Sequence, residues 1–208
     1  MNEPLEPSTL LQRWNVSRET IARLAIYEEL LRKWQRQINL VSPTTLPYLW
    51  TRHFSDSAQL QSHLPLCRNW VDMGSGAGFP GLITATLLAQ TSDPYQVHLI
   101  ESDQRKCAFL RTVSREMGVV IQVHNCRIED VHDDIWSMAE AVSARALAPL
   151  VDLISFSQKA LDNGAVGVFL KGSNVADELT LDPIFSKYRI AFKPSVTDPR
   201  SSVVLVER

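Results

Sequence analysis

Asp72-Met73-Gly74-Ser75-Gly76-Ala77-Gly78-Phe79-Pro80-Gly81 is the stretch on which the fold of this chain turns. It follows the apolar run Trp70-Val71 and precedes Leu82–Ala89, an apolar segment of helical character, so it joins a strand to a helix. Pro80 suits that position, because the first turn of a helix has no use for its missing N–H. Glycines there permit positive φ and let a ligand approach the backbone. In an open α/β sheet, ligands bind beyond the carboxyl ends of the strands, where strand order reverses. The start of the following helix adds free N–H groups that favour an anion.

The same alternation continues outward from the loop. Gln96–Ile100 reads as a strand. Asp103–Met117 reads as a helix, with Phe109, Leu110, Val113 and Met117 on one face and Gly118 as its stop. Val119–Val123 and Ala141–Ser143 read as strands, Leu150–Leu161 as a helix stopped by Asn163-Gly164, and Ala165–Leu170 as a buried strand. Ile190–Lys193 and Ser202–Val206 are close enough to pair antiparallel. Strands alternating with helices require crossover connections and a mostly parallel sheet, an α/β architecture. Toward the N-terminus the period changes. After Ser17, a fitting N-cap, Leu24, Tyr27, Leu31, Trp34 and Ile38 recur at helical spacing. This helix is expected to stop before Ser42-Pro43, and a second to cover Leu46–His63 and stop before Pro65. The expected organisation is a helical element over residues 1–65 and an α/β domain over residues 66–208.

Composition narrows the class. The 208 residues carry 21 basic and 23 acidic side chains, a formal net charge of −2, which argues against coating nucleic acid by bulk charge. An apolar fraction of 45% is that of a globular chain. No apolar run approaches the length of a bilayer span, and the acidic N-terminus does not read as a secretory signal. Cys67, Cys107 and Cys126 are widely spaced and form no Cys-x-x-Cys pair, so free thiols in a reducing cytoplasm are expected, with neither disulfide nor metal site.

Two adenosine cofactors compete for the glycine loop. Gly76-Ala-Gly78-Phe-Pro-Gly81 matches the dinucleotide fingerprint, which by itself is a weak signal. Pro80 removes a donor where a pyrophosphate needs one, and Asp72 is ill placed beside a diphosphate. The frame Asp72-x-Gly74-x-Gly76-x-Gly78 resembles instead the first motif of class I S-adenosylmethionine-dependent methyltransferases. Their ligand carries an ammonium and a carboxylate, so an acid beside bare N–H groups makes physical sense. Glu101, ending the next strand, is placed to accept both ribose hydroxyls in either class. Cys126-Arg127-Ile128-Glu129-Asp130 follows the third strand, where this methyltransferase fold borders adenine.

Several further segments narrow the resemblance. Lys33-Trp34-Gln-Arg-Gln-Ile38-Asn39-Leu40-Val41-Ser42 precedes Arg52-His53-Phe54-Ser55-Asp56-Ser57; then come the glycine loop, Ser143-Ala144-Arg145-Ala146 and Leu170-Lys171-Gly172. In this order and spacing they resemble the RsmG family, also called glucose-inhibited division protein B. The resemblance runs through nearly the whole chain, most weakly before residue 17 and after residue 175. It implies a class I fold and methylation of N7 of one guanine in 16S rRNA, in the bacterial cytoplasm; the weak overall basicity in turn favours a small-subunit particle over free RNA as the expected target. The resemblance also implies cofactor contacts at Gly74, Phe79, Ile128, Glu129 and Arg145, beside the Asp72, Gly76 and Glu101 read from the loop and strand ends. No obligate protein partner is inferred.

Guanine N7 has an in-plane lone pair at neutral pH, so the acceptor needs no general base and catalysis rests on positioning. Arg145, after a short strand that ends near the cofactor, is the expected positioning residue, with an ion pair to Asp72 or Glu129 as its structural alternative. His53 and Asp56 are expected to approach the same cleft. Residues 32–63 set Arg32, Lys33, Arg36 and Arg52 against the single acid Asp56. Lys33, Arg36, Arg52, His53 and Lys171 are therefore the expected RNA contacts. The competing readings are a methyltransferase for a small molecule or protein, a nicotinamide-dependent dehydrogenase, and a ribosome-binding module with a vestigial pocket.

Overall fold

The computed structural model describes residues 13–173, 175–178 and 182–208; the acidic N-terminus and the start of the expected helical element lie outside them. Seven strands form one sheet: β1 (Asn69–Met73), β2 (Gln96–Ile100), β3 (Gln122–His124), β4 (Ala141–Arg145), β5 (Val166–Lys171), β6 (Arg189–Pro194) and β7 (Ser202–Glu207). Their order is β3-β2-β1-β4-β5-β7-β6. The first five pair in parallel, and β7 runs antiparallel to β5 and β6, as the spacing of the last two strands predicts. Strand order reverses between β1 and β4, which places a crevice beyond their carboxyl ends.

Among the described residues, the helices that cover the sheet include α1 (Arg18–Trp34), α2 (Asp56–His63), α3 (Gly81–Leu88), α4 (Gln104–Met117), α5 (Asp133–Met138) and α6 (Leu150–Asp162). Alternation along β1 divides the core. Trp70 faces the layer that includes Tyr27, Leu31, Leu82 and Phe109, whereas Val71 and Met73 face the layer that includes Trp136, Leu150 and Ile154. The N-terminal helices thus share one apolar core with α3 and α4. Helix α4 reads as expected: Asp103 caps the Arg105 and Lys106 N–H groups at 2.8 and 3.2 Å, and Gly118 closes it at φ +64°.

Helix α1 is shorter than its stripe predicts. Ser17 caps it through the Thr20 N–H, but it ends at Trp34. Gln35 is the reason: its side-chain oxygen accepts from the Leu40 and Val41 N–H groups at 3.0 Å each, and its amide donates to the Val41 carbonyl at 2.8 Å. These bonds fold 35–41 into a compact turn that still buries Ile38. The expected helix Leu46–His63 is likewise divided, into a 3₁₀ turn (Leu46–Tyr48), a π-helical turn (Trp50–Ser55) and α2. The wide turn buries Trp50, Thr51, His53, Phe54 and Ser55, more consecutive positions than one α-helical face offers.

Candidate active site

A cavity of about 570 Å³ opens beyond the carboxyl ends of β1, β2 and β4. Its floor is the glycine loop, Gly74 to Phe79. One side is Ile100, Glu101 and Ser102, and another is Cys126 to Glu129. Leu40, Val41 and His53 close it from the N-terminal element, and Arg145 to Ala148 from the loop after β4. Gly74 holds φ +62°, a backbone conformation that L side chains rarely adopt, and a Cβ there would meet the Leu147 side chain of the β4–α6 loop at 2.5 Å.

The two acids at the strand ends have different surroundings. Glu101 lies at the cavity wall; its Oε2 accepts the Gly76 N–H at 2.8 Å and its Oε1 the Asp103 N–H at 2.7 Å. These bonds fix the carboxylate against the glycine loop while leaving a lone pair on each oxygen. Asp72 does not meet the expectation of a cofactor contact, for it does not line the cavity. Strand β1 runs on to Met73, so alternation turns Asp72 toward α3, where it is fully buried. Its Oδ2 accepts the Gly81 N–H at 3.1 Å and its Oδ1 the Ser143 hydroxyl at 2.8 Å. Burial pushes its pKa up to about 7 against those bonds, with the Glu101 charge adding to the rise. Asp72 therefore ties α3 and β4 to β1 beneath the site.

Aromatic rings join the N-terminal element to the loop. The Tyr27 ring stacks on Phe54 at 5.3 Å and on Phe79 at 5.4 Å, and its hydroxyl donates to the Ala77 carbonyl. The periodicity marks Tyr27 only as core; its hydroxyl bond is a long-range contact without a local signal. The His53 ring lies 4.8 Å from Phe79, and the Arg145 guanidinium carbon lies 5.8 Å from the same ring. Arg145 Nη2 donates to the Arg52 carbonyl in the π-helical turn at 2.9 Å, and its Nε faces Asp56 Oδ2 at 3.7 Å. The partner acid is thus Asp56, not Asp72 or Glu129. Asp56 also accepts from Thr197 and, at 3.0 Å, from Gln59. Burial raises its pKa while Arg145 opposes the rise. Burial, then Arg145 and Arg52, push the His53 pKa down to about 3, so its ring is neutral.

Of the other expected site residues, Gly76, Phe79, Ile128 and Glu129 line the cavity with Gly74, Glu101 and Arg145. Lys171 departs from its expected role as an exposed RNA contact. Its ammonium donates to the Ala148 carbonyl at 2.8 Å and pairs with Glu178 at 2.7 Å, and only 10% of its side chain is exposed. It holds the β4–α6 loop to the segment after β5. Arg52 is half-buried and bound to Asp198 at 2.7 Å, and Arg32 pairs with Glu28. Lys33 and Arg36 are exposed. Lys106, Leu147 and Phe156 also line the cavity; sequence reading missed them because their positions depend on how loops fold back. The three cysteines are free, with Cys107 buried and the others half-buried. Among the described residues no helix is long and apolar enough to cross a membrane, and no cluster of three or more His, Cys, Asp or Glu is placed to hold a metal ion.

Comparison with known proteins agrees with this geometry. The family GidB, described as rRNA small subunit methyltransferase G, matches residues 20–197. A ribosomal RNA small subunit methyltransferase G from Parvibaculum lavamentivorans is 49% identical over 193 residues, covering 92% of this chain and 84% of that protein. Another from Paramagnetospirillum magneticum is 46% identical over 199 residues, covering 95% and 93%. Among solved structures, an O-methyltransferase from Bacillus cereus in complex with SAH superposes with a TM-score of 0.61 at 13% identity, over 97% of this chain and 96% of that one. A methyltransferase from Geobacter sulfurreducens gives 0.56 at 12% identity, over 100% and 98%. The fold is therefore the class I methyltransferase sheet, with a helical N-terminal element packed on one face.

Proposed function

Because this chain belongs to the rRNA small subunit methyltransferase G family, we propose that it transfers a methyl group from S-adenosylmethionine to N7 of one guanine in 16S rRNA. One observation carries the reading: the glycine loop, bonded to Glu101, and a wall formed by Arg145 and His53 enclose one cavity. The lining fits the cofactor. Glu101 keeps lone pairs for a ribose diol, Gly74 and Gly76 bring bare backbone to the ligand, and Ile100, Ile128 and Phe156 offer flat apolar walls for adenine. Glu129, exposed at the rim, accepts from polar edges of the ligand.

When bound, S-adenosylmethionine supplies a methyl group activated by its sulfonium. The chain's own residues then need only place the guanine. Its N7 lone pair is available without proton removal, so no side chain has to act as base. Orientation of two reactants is worth up to roughly 7–11 kcal/mol of barrier. Asp56 and the Arg52 carbonyl hold the Arg145 fork against Phe79, and the π-helical turn sets His53 beside it. Asp72 and Lys171 support the site from behind.

The N-terminal element, residues 1–65, is the proposed RNA contact and residues 66–208 the methyltransferase domain. Lys33 and Arg36 supply exposed charge for phosphates, which fix position rather than sequence. With a net charge of −2, shape must add to charge, so a small-subunit particle in the bacterial cytoplasm is the proposed substrate in preference to naked RNA. The test is to incubate unmethylated small-subunit particles, free 16S rRNA and small acceptors with the protein and S-adenosylmethionine, then map N7-methylguanine. A single modified guanine in the particle is expected. Methylation of small acceptors only, or none with the cofactor bound, would overturn the reading.

A further inference from the structure

A second cavity, of about 520 Å³, shares the π-helical turn with the active site. Arg52 lines this cavity, and the next residue, His53, lines the first. Thr44, Thr45 and Tyr48 line it from the segment before the turn, and Pro199 and Arg200 from the loop between β6 and β7. Bonds across the turn tie the two cavities together. Thr45 Oγ1 lies 2.9 Å from His53 Nε2, and the Arg52 carbonyl accepts from Arg145 Nη2 at 2.9 Å. A cavity of this size is enough for a small ligand.

Its charges favour an anion. Arg52 Nη1 and Arg200 Nη2 both donate to Asp198 Oδ2, at 2.7 and 3.2 Å, and Arg200 Nε donates to Oδ1 at 3.2 Å. Two guanidinium groups thus share one carboxylate, and one positive charge is left in excess. The carboxylate is covered, with 9% of its side chain exposed, whereas Arg52 shows 36% and Arg200 78%. An entering anion therefore meets guanidinium N–H groups before it meets Asp198, and five donors on each fork exceed what one carboxylate uses. Tyr48 and Pro199 are exposed and add ring surfaces. An aromatic face beside cationic donors is the combination that holds an unpaired nucleotide by stacking and phosphate contact.

Resting on the methyl-transfer reading above, we propose that this cavity is the subsite for a nucleotide adjoining the methylated guanine, its base stacked on Tyr48 and its phosphate held by Arg52 and Arg200. The neighbouring base is open to such a contact. Paired A-form RNA hides N7 in a deep, narrow groove, so a guanine reached at N7 lies in an unpaired or opened stretch. With guanine in the first cavity and its neighbour in the second, the RNA backbone crosses the π-helical turn. Two anchors fix the rotation of the guanine as well as its position, which is the term on which an acceptor without a general base depends. Stacking also supplies affinity that the net charge of −2 does not.

The test measures KM and kcat of the intact protein on reconstituted small-subunit particles, with folding of each variant checked by circular dichroism. Tyr48→Ala is expected to raise KM about tenfold, the worth of one stacked base, and Tyr48→Phe to recover most of that loss. Arg200→Ala, at an exposed position, is expected to flatten the slope of log KM against log salt by about 0.7, the loss of one phosphate contact on a single strand. Particles carrying an abasic nucleotide just before or just after the guanine identify the occupant. On one of the two, the unaltered protein is expected to lose about tenfold in KM, and Tyr48→Ala to lose nothing further. If Tyr48→Ala is unfolded, Arg200→Ala and the abasic particles decide. Equal KM on the intact and both abasic particles, or an unchanged salt slope in Arg200→Ala, would overturn the subsite. So would Tyr48→Ala weakening intact and abasic particles alike, which would assign the cavity to another part of the particle, such as a ribosomal protein. Absence of transfer by the unaltered protein to intact particles would overturn the underlying function and the subsite with it.

Discussion

Replacing Asp72 by Asn removes a charge from beneath the active site without changing its shape, and the structure fixes how stability must respond to pH. The carboxylate is fully buried and holds the Gly81 N–H and the Ser143 hydroxyl. Burial raises its pKa from 3.8 to about 7 in the folded chain. A folded pKa above the unfolded one means that the folded state binds the proton more tightly. The resulting stabilisation is complete below about pH 4 and is lost as pH rises through about 7. At 1.36 kcal/mol for each tenfold change in proton affinity, the loss is about 4 kcal/mol. In Asp72→Asn the new amide oxygen accepts from the Gly81 N–H and the Ser143 hydroxyl turns to accept from the amide, so the variant keeps both contacts but not the titration. The assay is urea unfolding followed by tryptophan fluorescence at intervals from pH 4 to pH 8, on both proteins. Groups common to both, His53, His98 and His124 among them, cancel in the difference. The stability of Asp72→Asn relative to the original is expected to rise by about 4 kcal/mol across that range. A difference independent of pH would refute the buried, raised-pKa account of Asp72.

Three further outcomes follow from the geometry. Tyr27→Phe strands the buried Ala77 carbonyl, a loss of about 1–3 kcal/mol; urea unfolding and titration with S-adenosylmethionine should show lower stability together with weaker binding, and no change in either would remove the role given to that hydroxyl. Gly81→Ala would set a Cβ 2.2 Å from Leu99 Cδ2 and 2.7 Å from Asp72 Oδ2, so a cost of at least about 1–3 kcal/mol is expected in the urea midpoint. Lys33→Glu combined with Arg36→Glu should raise KM for the particle, most strongly at low salt, and leave cofactor affinity as it was; an unchanged KM would reduce the patch to a solvated face.

The alternation of strands and helices is legible from Asn69 onward because each element carries its own period, and every expected strand is present within a few residues. The mostly parallel sheet with its closing antiparallel pair, the glycine loop and Glu101 follow from the same local signals; the strand order does not. The π-helical turn is not legible. Nothing in Trp50–Ser55 marks an inserted residue, and the turn exists because several consecutive side chains find apolar partners on other elements. Asp72 escapes the pattern for a related reason: the strand reads through Met73 as observed, but closeness to the glycine loop suggests a ligand contact, whereas alternation turns the Asp72 side chain toward α3. Lys171 looks free in the sequence because Glu178, its partner, sits in a short 3₁₀ turn with no periodicity to announce it. Asp56 reads as close to the cleft, but its pairing with Arg145 joins residues far apart in the chain, which no spacing rule reaches.

Helix α1 contributes Tyr27 and Leu31 to a layer completed by Leu82 on α3 and Phe109 on α4. On the ribosome its own apolar stripe therefore emerges about eighty residues before the last of its partners. At about 5–20 residues per second that is a wait of roughly 4–16 s. A nascent chain of this protein spends that interval with an adhesive amphipathic segment uncovered, which makes α1 the natural landing place for a chaperone and the segment whose early mispairing would trap the whole sheet.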